Sequence, residues 1–290
     1  MLSYRHGFHA GNHADVLKHW VLAEVLAYFN EKPAPWTYVD THAGAGLYRL
    51  GAGVGGAQAS HEFREGIARL WAARAKAPAV FSAYLEAVAA FNPAGRLELY
   101  PGSPAIARQF ARSGARGKGG DRLVCFERHP RDFAALERLF AGDAQVRCLS
   151  SDGFAGALQV LPPPSRRGVI LIDPPYEVRG DYVRLIPAVR AMLEKFPQAT
   201  VLVWYPRLRR VEAEELRRRL VNLAPEDHLR VELQVAPPPV GGRGMTASGL
   251  VVLHPPYVLA QRLQEGLPWL AGQLEEAPGQ GGWVLEAKIA

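Results

Sequence analysis

The octapeptide VILIDPPY, residues 169–176, runs a stretch of β-branched and leucine side chains directly into a carboxylate, two prolines and a tyrosine. A strand ending this way presents Asp173 on a rigid turn, because the prolines fix φ and remove N–H donors, and Tyr176 adds a flat aromatic surface beside the acid. That grouping suits a site that grips a planar ring through hydrogen-bond acceptors, here Asp173 Oδ and the carbonyl of Pro174. Three other strand-like runs also end on residues with chemistry: Asp40-Thr41-His42 with the turn Ala43-Gly44-Ala45-Gly46, Glu127 at the end of LVCFE, and Asp152-Gly153 just after VRCLS. The glycine turn lets a ligand approach the backbone closely, and Glu127 suits ribose hydroxyls. In dinucleotide folds that acid lies about 20 residues past the glycines. Glu127 lies several times farther beyond Gly46, so either it is unrelated to them or a segment is inserted between the two halves of one pocket.

The elements that must position these residues alternate. HADVLKHWVLAEVLAYFN (13–30) spaces apolar residues as a helix does, with a start near Asn12 or Asp15; WTYVD, DRLVCFE, AQVRCLS, RGVILID and ATVLVWYP read as strands, and helical patterns lie between most of them. SPAIARQFARSG opens a helix on Ser103-Pro104, an N-cap residue followed by proline at the first helical position. This alternation predicts an α/β fold with a mostly parallel sheet and helices on both faces. LRVELQVA and GLVVLHPPY, separated by a turn-rich stretch, predict an antiparallel hairpin at one sheet edge. Ligands of such sheets bind beyond the carboxyl ends of the strands, where the strand order reverses.

Composition narrows the classes. At 290 residues and 48% hydrophobic the chain can bury a full core. It has no apolar run of the roughly 18 residues that span a membrane and no signal-peptide pattern, so a cytoplasmic protein with no membrane partner is expected. Cys125 and Cys148 lie inside strand patterns and read as inert core thiols. The formal charge is +6, and 28 of the 34 cations are arginine. Arginine forks suit phosphate, so a polyanionic partner fits, although a compositional bias toward Ala, Arg, Gly and Pro gives the same excess.

DTHAGAG followed by DPPY resembles motifs I and IV of the S-adenosylmethionine-dependent amino-methyltransferases that act on adenine N6 or cytosine N4. More narrowly, MLSYRHGFHAGNHADVLKHW with PGSP, RRGVILIDPPYE, WYP and RGMTASG resembles the bacterial 23S ribosomal RNA adenine-N6-methyltransferase family, from residue 1 to about 270. The resemblance implies a Rossmann-like methyltransferase domain over 1–50 and 101–290, whose first 20 residues cover the active site, and a small helical insertion subdomain over 51–100. It implies S-adenosylmethionine as cofactor, no metal, a monomer, and 23S rRNA as substrate, protein-free or partly assembled. By the same carry-over Asp173, Pro174 and Tyr176 are catalytic. Lys18, His19, His42, Ser103, Glu127, Asp152, Gly153 and Asp173 line the cofactor pocket, and Tyr4 and His6 contact the RNA. A DNA adenine methyltransferase is the alternative enzyme, but the insertion of about 50 residues is small for a target-recognition domain. A catalytically idle RNA-binding module on the same scaffold is the alternative from another class, and the intact Asp-Pro-Pro-Tyr argues against it.

Two features invite other readings. His6, His9, His13 and His19 with Asp15 suggest zinc, but only His9 and His13 share the i,i+4 spacing. HPPY at 254–257 mimics the catalytic motif, yet a histidine cannot replace an anionic acceptor, and a structural turn is expected there. Arg207 and Arg209 leave the strand WYP on the ligand side and are assigned to RNA. Arg217, Arg218 and Arg219 share a helix with glutamates, which equally suits a solvated salt-bridged face.

Overall fold

Asn12 starts the first helix: its Oδ1 accepts the N–H groups of Ala14 and Asp15, satisfying two donors that a helix start leaves over. The helix it caps, α1 (His13–Asn30), is buried on nearly all sides, with Val16, Leu17, Trp20, Val21, Leu22, Val25 and Leu26 inaccessible. An all-round apolar helix belongs inside a protein, and α1 carries Asp15, Lys18, His19 and Glu24 into the interior with it. The computed structural model describes residues 8–51, 61–114, 119–176, 179–208, 211–238 and 245–289.

After α1 come β1 (Thr37–Asp40), β2 (Leu47–Arg49), α2 (Ile67–Ala73), α3 (Ser82–Ala89), β3 (Leu99–Pro101) and α4 (Ser103–Phe110). Next are β4 (Arg122–Phe126), α5 (Pro130–Leu139), β5 (Val146–Leu149), α6 (Gly153–Val160), β6 (Gly168–Ile172) and α7 (Arg179–Lys195). The chain closes with β7 (Thr200–Pro206), α8 (Val211–Val221), β8 (His228–Gln234), β9 (Ala247–Leu253), α9 (Leu259–Leu274) and β10 (Gly282–Lys288). Eight strands form one sheet in the order β10-β8-β9-β7-β6-β1-β4-β5. From β7 to β5 every pairing is parallel, whereas β9 pairs antiparallel with β7 and β8, and β8 antiparallel with β10.

The expected α/β class and the β8–β9 hairpin are both present. The hairpin is extended by β10, which pairs beyond β8 and which, with α9, the sequence reading did not include. β10 is a half-exposed edge strand, so it lacks the continuous apolar run that marks the central β6. His254 follows β9 at the opposite end of the sheet from the carboxyl ends of the parallel strands. Its ring bonds the Ala199 carbonyl at 3.1 Å and its own carbonyl accepts from Thr200 Oγ1 at 2.8 Å, a structural turn as expected. Cys125 and Cys148 are free thiols whose pKa burial pushes up, to about 11 for Cys148.

Within 51–100, α2, α3 and short 3-10 turns leave and rejoin the sheet through a two-stranded ribbon, β2 paired antiparallel with β3. Their apolar residues Ile67, Leu70, Phe81 and Tyr84 join one core with Trp20 of α1 and Leu263 and Leu267 of α9. A second core on the other face of the sheet gathers α6, α7 and α8. Among the described residues no helix is long and apolar enough to cross a membrane.

Candidate active site

The strand order reverses between β1 and β6: β1 continues through β4 to β5 on one side, and β6 leads to β7 on the other. Parallel register brings the carboxyl ends of these strands to one rim, and the residues after them converge there. Thr41, His42, Gly44, Ser103, Glu127, Asp152, Gly153, Phe154, Asp173, Pro174, Pro175 and Tyr176 line one cavity of about 660 Å³ together with Lys18 and His19 from α1. That volume lies within the range of small-molecule and cofactor sites. All described residues assigned to the cofactor or to catalysis thus share one cavity, whereas Tyr4, His6 and Arg209 lie outside the described residues.

At the centre, Lys18 Nζ donates to Asp173 Oδ2 at 2.5 Å and sits 2.8 Å from Asp15 Oδ1. Burial disfavours the ammonium, but the two carboxylates outweigh it and hold the Lys18 pKa above that of an ordinary lysine. Asp15 Oδ2 also accepts the Gly11 N–H at 2.9 Å. Asp40, at the end of β1, is fully buried and accepts Tyr38 Oη–H at 2.6 Å, Ser103 Oγ–H at 2.7 Å and the His42 N–H at 3.2 Å. Burial raises its pKa despite these three donors. The Ser103 hydroxyl proton is therefore spent on Asp40, and what Ser103 offers a ligand comes from the start of α4 rather than from that proton.

Glu127 is held by two backbone donors, Gly44 N–H to Oε2 at 2.8 Å and His129 N–H to Oε1 at 2.6 Å. Burial raises its pKa, and the two amides work against that shift. Asp152 caps α6 through Ala155 N–H at 3.1 Å and receives Arg184 Nη2 at 2.7 Å. Burial alone would raise its pKa; Arg184 and the cap bond bring it below the ordinary value. A Cβ on Gly153 would stand 1.9 Å from the Thr41 carbonyl oxygen, so only glycine lets the start of α6 close against the turn after β1.

Thr41 Oγ1 lies 3.1 Å from the Leu171 carbonyl, to which it donates, and 2.8 Å from His42 Nδ1. The Thr41 hydroxyl thus engages Nδ1 of His42 and fixes the orientation of the ring. Burial lowers the His42 pKa to about 4, which keeps the ring neutral. His19 bonds the Tyr100 hydroxyl at 2.7 Å, and Tyr84 extends the chain at 3.1 Å, tying this part of α1 to α3 and β3. Tyr176 adopts φ 54°, a left-handed backbone that few non-glycine residues take up and that is enriched at functional sites. Its hydroxyl donates to the Trp204 carbonyl at 2.5 Å, and its ring packs on Tyr182 and Trp204.

The histidines do other work than the zinc reading supposes. His9 bonds Glu62, and His13 Nε2 lies 3.1 Å from the Met245 carbonyl, its pKa lowered to about 4 by burial. Arg207 follows β7 between Pro206 and Leu208, which line the cavity, but its own Nε pairs at 3.3 Å with the buried Glu232, which also takes Tyr205, Arg217 and Arg230. One Arg of the glutamate-rich helix is thus anchored inward. Trp204, Asp15, Phe154 and Glu62 line the cavity and were not singled out as site residues. The tripeptide WYP at a strand end was the available signal for Trp204, and the i,i+3 spacing to Lys18 was that for Asp15.

Residues 33–288 match the family described as "Ribosomal RNA large subunit methyltransferase D, RlmJ". The chain is 43% identical over 277 residues to "Ribosomal RNA large subunit methyltransferase J" of Escherichia coli (strain K12), covering 96% of this chain and 95% of that relative. It is 39% identical over 287 residues to the protein of the same name from Haemophilus influenzae, covering 99% and 98%. A crystal structure of protein LPL1258 from Legionella pneumophila superposes with a TM-score of 0.87 at 32% identity, over 97% of this chain and 98% of that one.

Proposed function

The chain belongs to the RlmJ family of ribosomal RNA large subunit methyltransferases, and from that membership we propose that it methylates the N6 amine of an adenine in 23S rRNA with S-adenosylmethionine. The observation that carries the reading is Asp173-Pro174-Pro175-Tyr176 on the rim of the cavity at the switch point, beside the acceptors after β1, β4 and β5.

The donor set suits that cofactor. Glu127, oriented by two amides, fits a ribose diol; Asp152, an anion at the helix start, fits an adenine amino group; and the close approach at Gly153 leaves backbone rather than side chain at that wall. Asp15 and Asp173 outnumber Lys18 at the centre, which favours a ligand carrying positive charge. When bound, S-adenosylmethionine supplies an electrophilic methyl group on a sulfonium.

An adenine amine is a weak nucleophile because its lone pair is delocalised into the ring. Asp173 Oδ and the Pro174 carbonyl accept its two N–H groups and let the nitrogen pyramidalise, with the prolines fixing the carbonyl's direction. Lys18 fixes the Asp173 carboxylate through Oδ2. Once the nitrogen carries the methyl group and a positive charge, Asp173 takes its proton. Tyr176 and Trp204 are the aromatic walls for a base withdrawn from its stack. Arg207, a third exposed and shared with Glu232, is the proposed contact for RNA phosphate next to Pro206 and Leu208 of the cavity wall.

Asp173→Asn tests the assignment. Transfer to 23S rRNA falls by about 10²–10⁴-fold, while binding of S-adenosylhomocysteine by calorimetry persists. Turnover like that of the wild type would remove Asp173 from the mechanism.

A further inference from the structure

Besides packing on α1 through Phe81 and Tyr84, the inserted segment interlocks with the chain just before that helix. Glu62, in the 3-10 turn Glu62–Glu65, accepts from His9 Nδ1 at 3.0 and 2.9 Å and from Asn12 Nδ2 at 3.0 Å. Asn12 is the residue whose Oδ1 caps α1, so one side chain joins the insertion to the start of that helix. Backbone closes the same contact: Ile67 N–H donates to the Gly11 carbonyl at 2.8 Å. A Cβ on Gly66 would come 2.0 Å from the Gly11 oxygen, and one on Gly11, at φ +78°, would come 2.8 Å from Ile67 Cγ2. Gly11 N–H in turn bonds Asp15, the partner of Lys18. The pKa of His9 is raised, chiefly by its bond to Glu62, and that of Glu62 is lowered although burial opposes it, so both partners favour the charged pair.

We infer that the insertion clasps the N-terminal segment, with Glu62 as a positioning residue that fixes how the chain enters the cavity rim at His9 and Asn12. The inference rests on the proposed function, because what the clasp orients is the approach of the RNA. His9, Asn12 and Glu62 all line the cavity, as do His13 and Met245, which bond each other. Tyr4 and His6, proposed RNA contacts, precede His9 closely in the chain. The clasp therefore acts first on RNA engagement: Glu127, Asp152 and Gly153, proposed partners of the cofactor, belong to other elements, and Lys18 and His19 lie farther along α1. The role assigned to the insertion is thus structural support for the substrate side of the site.

The test uses the full-length enzyme carrying Glu62→Ala, Glu62→Gln, His9→Ala or both alanines, with 23S rRNA as substrate and S-adenosylhomocysteine as the cofactor probe. Removing a group that orders a binding segment should raise KM for RNA about tenfold. Cofactor Kd should stay within about twofold, and the double alanine should lose no more than Glu62→Ala alone, since the bond His9→Ala removes is already gone in it. Glu62→Gln, whose amide oxygen still accepts from both partners, should recover part of the loss. If Glu62→Ala does not fold, Glu62→Gln and His9→Ala carry the comparison. Additive losses, an equal loss of cofactor affinity, or unchanged RNA kinetics in these variants would overturn the clasp. Failure of the wild-type enzyme to methylate the RNA would instead overturn the proposed function.

Discussion

The centre of the site is a buried cation between two acids, and its energetics follow from what each group would lose alone. Lys18, Asp15 and Asp173 are all largely withdrawn from water. Removing one member of a buried, hydrogen-bonded set leaves an uncompensated charge and costs about 3–5 kcal/mol. Lys18→Met should therefore lower unfolding stability in urea by that amount, and Asp15→Asn in the same chain should restore part of it. An unchanged midpoint would mean that the two carboxylates do not depend on the ammonium. Lys18 came only through the family resemblance, whereas Glu127, Asp152 and Asp173 were legible in the sequence because a strand end marks each of them. Asp15 was not, since an acid three residues before a lysine on a helix reads first as a solvated surface pair. Only the burial of α1 turns that ordinary pair into part of the site.

Burial of α1 has a second consequence, at the scale of the element. Glu24 is 5% exposed and faces Arg262 of α9, with Nη1 3.4 Å from its Oε2, while Arg262 also pairs with Glu31. Burial raises the Glu24 pKa to about 7, and Arg262 offsets only part of the effect. A folded pKa above the unfolded value gives stability that is fully present below the unfolded carboxylate range and is lost as pH rises through the folded pKa. Glu24→Gln should accordingly match the wild type at about pH 4 and below and exceed it above pH 8 by at most about 3 kcal/mol in denaturant unfolding. A constant difference across that window would contradict the raised pKa. The helical pattern of α1 and a start at Asn12 or Asp15 were readable from spacing, but its all-round burial was not. Burial depends on α9 and on the insertion helices, which close over it from distant parts of the chain.

For the whole molecule, alternation of strand and helix predicted the parallel half of the sheet, and the strand ends then located the cavity. The antiparallel side was only partly legible. β8 and β9 carry strong apolar patterns, whereas β10 is stabilised by pairing to β8 along one edge and leaves little trace in composition. The insertion was visible as a spacing between Gly46 and Glu127, but its share in the common core and its hold on the N-terminal segment depend on contacts that no local pattern records. The central claim joins fold, cavity and family membership in one reaction: transfer of a methyl group to an adenine amine of 23S rRNA. The most direct measurement is transfer from labelled S-adenosylmethionine to purified 23S rRNA, 16S rRNA and duplex DNA, with the product nucleoside identified after digestion. The expected product is N6-methyladenosine, in 23S rRNA alone. N6-methyldeoxyadenosine from the DNA, or label in neither RNA, would contradict it.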